Sequence, residues 1–252
     1  KPFIETVAKP AHGVVMTSAT LTDGSGSAQS WEAAEQLVGA RHLATPALRV
    51  RVPSPFDYAK QTRVFIVTDI QRNDFDQIAA AYRELFLAAG GGALGLFTAI
   101  ARLREVHRRI APALEHAGLD LLAQHVDAMS TGSLIDIFRG ERDACLLGTD
   151  AVRDGVDVPG PALRLIVFDR VPWPRPHLLH RARKSVFGGA EYDDQLVRLK
   201  LKQAFGRLIR RADDHGVFVL LDRAMPSRLL TAFPAEIQVE RIGLAEVIAK
   251  TK

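Results

Sequence analysis

Gln203-Ala-Phe-Gly206-Arg207-Leu-Ile-Arg210-Arg211 is the stretch around which the rest of the chain is organised. It holds three arginines within five residues, a glycine directly before the first, and an amide four residues upstream of it. On a helix, Gln203 and Arg207 are four apart and Arg207 and Arg210 three apart, so one face carries all three. A guanidinium is planar, permanently charged and forked, which suits bidentate contact with phosphate oxygens. Two of them on one ridge read as a phosphate clamp. A solvated basic turn at a helix C-terminus explains the same residues, because cations also suit the negative end of the helix dipole.

The surrounding composition narrows the choice. Of 252 residues, 47% are hydrophobic and 25% charged, a globular balance long enough for one large α/β domain or two small ones. No apolar run nears the roughly 18 residues of a membrane span, so no membrane partner is expected. Lys1 stands where a methionine would, and residues 1–10 lack a signal-peptide core, so the sequence reads as cut from a longer protein. The single cysteine, Cys145, excludes an internal disulfide and an all-cysteine metal or iron–sulfur site within this chain. Its place in Ala144-Cys-Leu-Leu147 reads as a buried structural thiol, and a reducing cytoplasm fits. The net charge of +4 is uneven: between 175 and 211, ten lysines and arginines stand against three acids. A basic segment on a near-neutral body points to a polyanion such as nucleic acid or nucleotide phosphate, although a solvated helix face has the same composition.

Along the chain, Gly13-Val-Val-Met-Thr17 reads as a short buried strand running into Ser18-Ala19-Thr20-Leu21, and 23–27 as a flexible loop. Residues 31–38 have helical spacing and end at Gly39. The basic stretch 49–55 carries Pro53 and Pro55, which forbid a helix, and reads as a linker. This splits the chain into 1–48 and 49–252. Beyond it, strands at 64–68, 94–98, 119–123, 144–148, 163–169 and a final one at 217–221 alternate with helices at 75–89, 100–116, 133–139 and 195–211. Short apolar strands alternating with helices predict an α/β fold, a parallel sheet with helices on both faces. Ligands of such sheets sit beyond the carboxyl ends of the strands. The polar residues found there include 17–20, Thr98, 148–157, 170–175 and Asp222-Arg223.

Several chemistries find no support. Gly90-Gly-Gly92 is followed by no Lys-Ser/Thr pair and reads as a helix exit rather than a phosphate loop, and no GxxxxGK[ST] occurs elsewhere. The histidines have no zinc-ligand spacing, the carboxylates after Gly148 lack calcium-loop spacing, and no GxSxG elbow is present. No metal site is expected.

Four stretches fall into one order. Thr17-Ser-Ala-Thr20-Leu21 resembles helicase motif III, and Phe97-Thr98 resembles motif IV. Gly148-Thr149…Asp154-Gly155-Val-Asp157-Val-Pro-Gly160 resembles motif V, and Gln203-Ala-Phe-Gly206-Arg207-Leu-Ile-Arg210 resembles motif VI. With Val171-Pro172-Trp-Pro174, the set is similar to the DinG/XPD-like branch of superfamily 2 DNA helicases. The resemblance implies a RecA-like second lobe of the P-loop NTPase fold without its own P-loop, with 1–48 closing the first lobe. It further implies a cytoplasmic DNA-repair helicase whose ATP and Mg²⁺, and any iron–sulfur cluster, belong mainly to the first lobe. By the family pattern, Arg207 and Arg210 would act as arginine fingers. Gln203, Gly155, Asp157 and Asp154 would line the nucleotide, though the family more often has Glu where Asp154 stands. Thr98, Thr149 and Arg153 would face single-stranded DNA, and Thr17, Ser18, Ala19 and Thr20 would couple the two sites. The partners implied are single-stranded DNA and the chain's own N-terminal helicase lobe. From the residues alone, a non-catalytic nucleic-acid-binding or protein-docking module stays open, as does an RNA helicase or nuclease-linked relative.

Overall fold

The computed structural model describes residues 2–18, 20–22, 28–155 and 157–252. In chain order, α1 (Ala28–Val38) and the short α2 (Tyr58–Gln61) lead to β1 (Thr62–Val67), α3 (Phe75–Ala88), β2 (Ala93–Leu96) and α4 (Ile100–His116). Then come β3 (Leu121–Ala123), α5 (Thr131–Gly140), β4 (Cys145–Gly148), α6 (Asp150–Gly155) and β5 (Leu165–Phe168). The chain ends with α7 (Leu178–Val186), α8 (Ala190–Phe205), β6 (Gly216–Leu220), β7 (Val239–Ile242) and α9 (Leu244–Thr251). The strands form one parallel sheet in the order β3-β4-β2-β5-β6-β1-β7.

The central strands β2, β4 and β5 are buried at every position, which requires cover on both faces. Alternate residues serve alternate faces. Phe65, Leu147 and Val167 pack against Tyr82 and Phe86 of α3 and Leu103 and Ile110 of α4. Ile66, Leu146 and Phe218 pack against Phe138 of α5 and Val197 and Leu201 of α8. The triple glycine is a helix exit: Gly90, Gly91 and Gly92 have φ of 63°, 85° and 57°, and a Cβ on Gly91 would lie 1.9 Å from the Asp143 carbonyl oxygen.

The structure corrects three expectations. The basic helix placed at 195–211 is Ala190–Phe205 and stops at Gly206. Past it, Arg207 and Leu208 N–H groups close short bonds to Ala204 and Phe205 (3.0 and 3.0 Å). Asp214 Oδ2 then takes the Arg210 and Arg211 N–H groups at 2.7 and 2.8 Å, offering the backbone an alternative to helix. The strand placed at 13–17 is irregular and exposed, with Val15 91% exposed, and no strand among the described residues pairs with it. The strand at 217–221 is not the last, since β7 adds an edge beside β1; α7 and α9 were also unanticipated. The stretch 49–54 is irregular and exposed. The loop placed at 23–27 lies outside the described residues.

Candidate functional site

The turn after α8 carries the arginines. Leu208 and Ile209 are buried at 1% and 3% exposure, and this inward apolar pair throws Arg207 and Arg210 outward on either side of it. Arg207 and Arg210 therefore share no helical ridge with Gln203. Both instead reach the last turn of α6 and the residues that follow it. Arg207 Nη2 donates to the Asp154 carbonyl oxygen at 2.8 Å, and Arg210 Nε lies 3.1 Å from Asp157 Oδ1. Partial burial pushes the Arg207 pKa down, with the neighbouring Arg210 charge adding to it and Asp157 and Asp154 opposing. Arg207 Nε is buried and has no hydrogen-bond partner among the described residues. A half-buried guanidinium with spare donors is undersatisfied, and an anionic oxygen is what it lacks. These residues fit a nucleotide phosphate. The side chain of Gln203, half-buried on the last turn of α8, makes no hydrogen bond among the described residues.

The arginine turn leads into the amino end of β6, whereas α6 starts at the carboxyl end of β4. The motif from Thr149 to Asp157 thus runs from one edge of the sheet toward the other, with Gly155 ending the helix. Gly148 permits this: a Cβ there would stand 2.4 Å from the Val152 side chain. Arg153 is buried, with Asp150 at 2.7 Å and Asp154 at 2.9 Å. It braces α6 and does not line the groove described next.

That groove, of about 500 Å³, opens at the carboxyl edge and is lined by Thr98, Thr149, Trp173, Arg175, Arg183 and Lys200, among others. Thr98 and Thr149 meet because β2 and β4 are neighbours with Leu96 opposite Gly148. Each is held from behind by a buried polar residue. Gln124 Oε1 accepts from Thr149 N and Oγ1, and Gln124 Nε2 donates to Thr131 Oγ1 at 3.1 Å. Asp169 Oδ1 accepts from Thr98 N at 3.1 Å, Asp169 Oδ2 accepts from Arg102 Nε at 2.5 Å, and Arg175 Nη2 donates to Thr98 O at 2.8 Å. Burial raises the Asp169 pKa, with Arg102 opposing. The sequence reading missed Gln124 and Asp169. Each is the first polar residue after a strand, and Asp169 was hidden by extending its strand to 169.

Of the coupling segment, Thr17, Ser18 and Thr20 lie outside the groove; Ser18 Oγ accepts from Thr20 N at 3.1 Å and lies 3.2 Å from Thr20 Oγ1. Ala19 lies outside the described residues. Lys202 Nζ donates to Thr22 O at 3.1 Å, so this segment touches α8.

A parallel sheet of this order, with paired arginines facing the end of α6, defines a RecA-like helicase lobe. The chain belongs to the helicase C-terminal domain family, which it matches over residues 82–240, on the DinG/XPD-like side. It is 35% identical over 230 residues to ATP-dependent helicase DinG of Mycobacterium tuberculosis (strain ATCC 25177 / H37Ra), covering 86% of this chain and 32% of that protein. It is 32% identical over 229 residues to 3'-5' exonuclease DinG of Bacillus subtilis (strain 168), covering 84% of this chain and 24% of that one. The chain therefore spans a third or less of these relatives. A solved structure of XPD in its apo form shares the fold, with a TM-score of 0.55, 16% identity, and coverage of 72% of this chain and 40% of that one.

Proposed function

We propose that this chain is the second lobe of an ATP-dependent DNA helicase, with 49–252 as the lobe and 1–48 as the end of the first. Arg207 and Arg210 face a triphosphate held, with Mg²⁺, by a P-loop lobe elsewhere in the polypeptide. Gln203, Gly155, Asp154 and Asp157 line the same face. Positioned guanidinium groups stabilise charge developing on a transferring phosphoryl group, worth about 10³–10⁵ in rate in other NTPases. Thr98 and Thr149 face the backbone of single-stranded DNA, Thr17, Ser18 and Thr20 couple the two sites, and the setting is cytoplasmic. Any iron–sulfur cluster belongs to the first lobe.

One observation carries the reading. The Arg207 guanidinium is half-buried, makes a single hydrogen bond among the described residues and leaves its buried Nε unpartnered beside Arg210. Two neighbouring cations repel; Asp157 pairs with Arg210, and the spare Arg207 donors remain for a further anionic oxygen. The groove supports the second half of the reading, because hydroxyls and cations contact a phosphate backbone without reading sequence.

The test is binding of labelled oligo-dT by this chain across a salt series, with ATP turnover measured alongside. Affinity falls with salt, by a log–log slope of about 0.7 for each phosphate contacted. The isolated chain does not turn over ATP. Turnover by the chain alone that Arg207→Ala abolishes, or salt-insensitive binding, contradicts the proposal.

A further inference from the structure

We propose that Trp173 is a stacking platform for one unpaired nucleobase in the carboxyl-edge groove. The proposal deepens the single-strand reading above and rests on it. Trp173 is 36% exposed and lines the groove beside Thr98, Thr149 and Lys200. The phenylalanine and the tyrosine of the groove wall are already used inside the fold. Phe97 is 3% exposed and stacked on Tyr82 at 4.8 Å; Tyr192 is 6% exposed and stacked on the His180 ring at 5.8 Å. Trp173 has no ring partner among the described residues.

The backbone that presents the indole is held in place. Trp173 N–H donates to Val171 O at 2.8 Å, and Val171 N–H donates to Asp222 Oδ2 at 3.2 Å. Pro172 and Pro174 fix φ on either side of it. A side chain with two rotatable bonds on so constrained a backbone loses little entropy on binding. Around it stand donors and cations: Arg175, tied to Thr98 O; Lys200, 3.3 Å from Asp150; and Arg183, exposed and unpaired among the described residues. Asp150 is the acid of the wall, and its carboxylate is already paired with Arg153 and Lys200.

This wall asks for a ligand that alternates anionic and flat apolar parts. A single-stranded nucleic acid has that pattern. A run of aspartates and glutamates lacks the rings, and a duplex hides its base faces within the stack. Stacking on one indole tolerates every base, since each has a π face.

The experiment compares a dT oligonucleotide with an abasic oligonucleotide of the same length and charge, using the chain with Trp31→Phe so that Trp173 is the sole tryptophan, excited selectively over the tyrosines. The dT strand quenches Trp173 and the abasic strand does not. Trp173→Leu weakens dT binding by about 5- to 100-fold, to the level of the abasic strand, and leaves abasic binding unchanged. Trp173→Phe keeps most of the affinity, which separates the π face from the fold. Equal affinity for the two strands, or equal dT binding by the parent and Trp173→Leu, overturns the platform while leaving the groove reading intact. Failure of the parent to bind either strand overturns both.

Discussion

Gln124 Oε1 accepts two hydrogen bonds from Thr149, one from its N–H at 3.0 Å and one from its hydroxyl at 2.8 Å. Gln124 is 5% exposed, so these bonds have no ready replacement in water. Gln124→Leu leaves both Thr149 donors unmet, and a buried unmet polar group costs about 1–3 kcal/mol. Chemical denaturation is expected to show a loss in that range. The same variant weakens oligo-dT binding, because Thr149 no longer has a fixed orientation.

The Arg102–Asp169 pair predicts a pH-dependent defect. The Arg102 side chain is 10% exposed and that of Asp169 is fully buried. Removing one partner of a buried ion pair costs about 3–5 kcal/mol. In Arg102→Ala the Asp169 pKa, already raised by burial, rises further, since Arg102's hydrogen bond and charge are the leading influences that lower it. The folded carboxyl then holds its proton to higher pH than the unfolded one. The penalty is therefore full above the folded pKa and shrinks as pH falls through it. Denaturation at pH 7 and at about pH 5 checks this: the gap between variant and parent narrows at the lower pH, and a gap that widens refutes the assignment.

Cys145 is fully buried on β4, and burial pushes its thiol pKa up to about 12. The thiolate is the reactive form, so the native thiol is inert at neutral pH. Labelling by a thiol reagent is expected to be slow in native buffer and to become rapid across the unfolding transition.

Gly91 has φ 85° and no room for a Cβ beside the Asp143 carbonyl. Gly91→Ala therefore shifts the turn between α3 and β2 and destabilises the fold by more than the roughly 1 kcal/mol typical of a single substitution. Gly118, also at positive φ (72°) but with open space around it, loses only the conformational part.

Most of the sheet was legible in the sequence, because residues such as Val64-Phe-Ile-Val67 and Cys145-Leu-Leu147 form apolar runs too short for anything but a covered strand. The arginine turn was not. Leu208 and Ile209 sit three and four residues beyond Phe205 and keep helical spacing, so periodicity continues where the backbone has left the helix. The signal that ends α8 is partly distant: Gly206 is local, but Asp214, which takes the Arg210 and Arg211 N–H groups, is eight residues away. The pairing of Arg153 was illegible for a similar reason. A spacing shows that a cation lies near a hydroxyl, but not that Asp150 and Asp154 fold back to enclose it.

Asp157 and Arg210 offer a control for fold against function. Their pair is largely exposed, at 66% and 35%, so it contributes little to stability. Asp157→Asn is expected to leave the denaturation midpoint unchanged and to lower nucleotide turnover in the polypeptide that joins this chain to its P-loop lobe.

The most direct measurement is single-strand-stimulated ATP turnover of that joined polypeptide, carrying Arg207 or Arg207→Ala, with oligo-dT affinity measured in parallel. If Arg207 is the finger, kcat falls about 10³-fold or more with oligo-dT affinity unchanged. Turnover that survives the loss of Arg207, or a loss of turnover that tracks a loss of DNA binding, contradicts it.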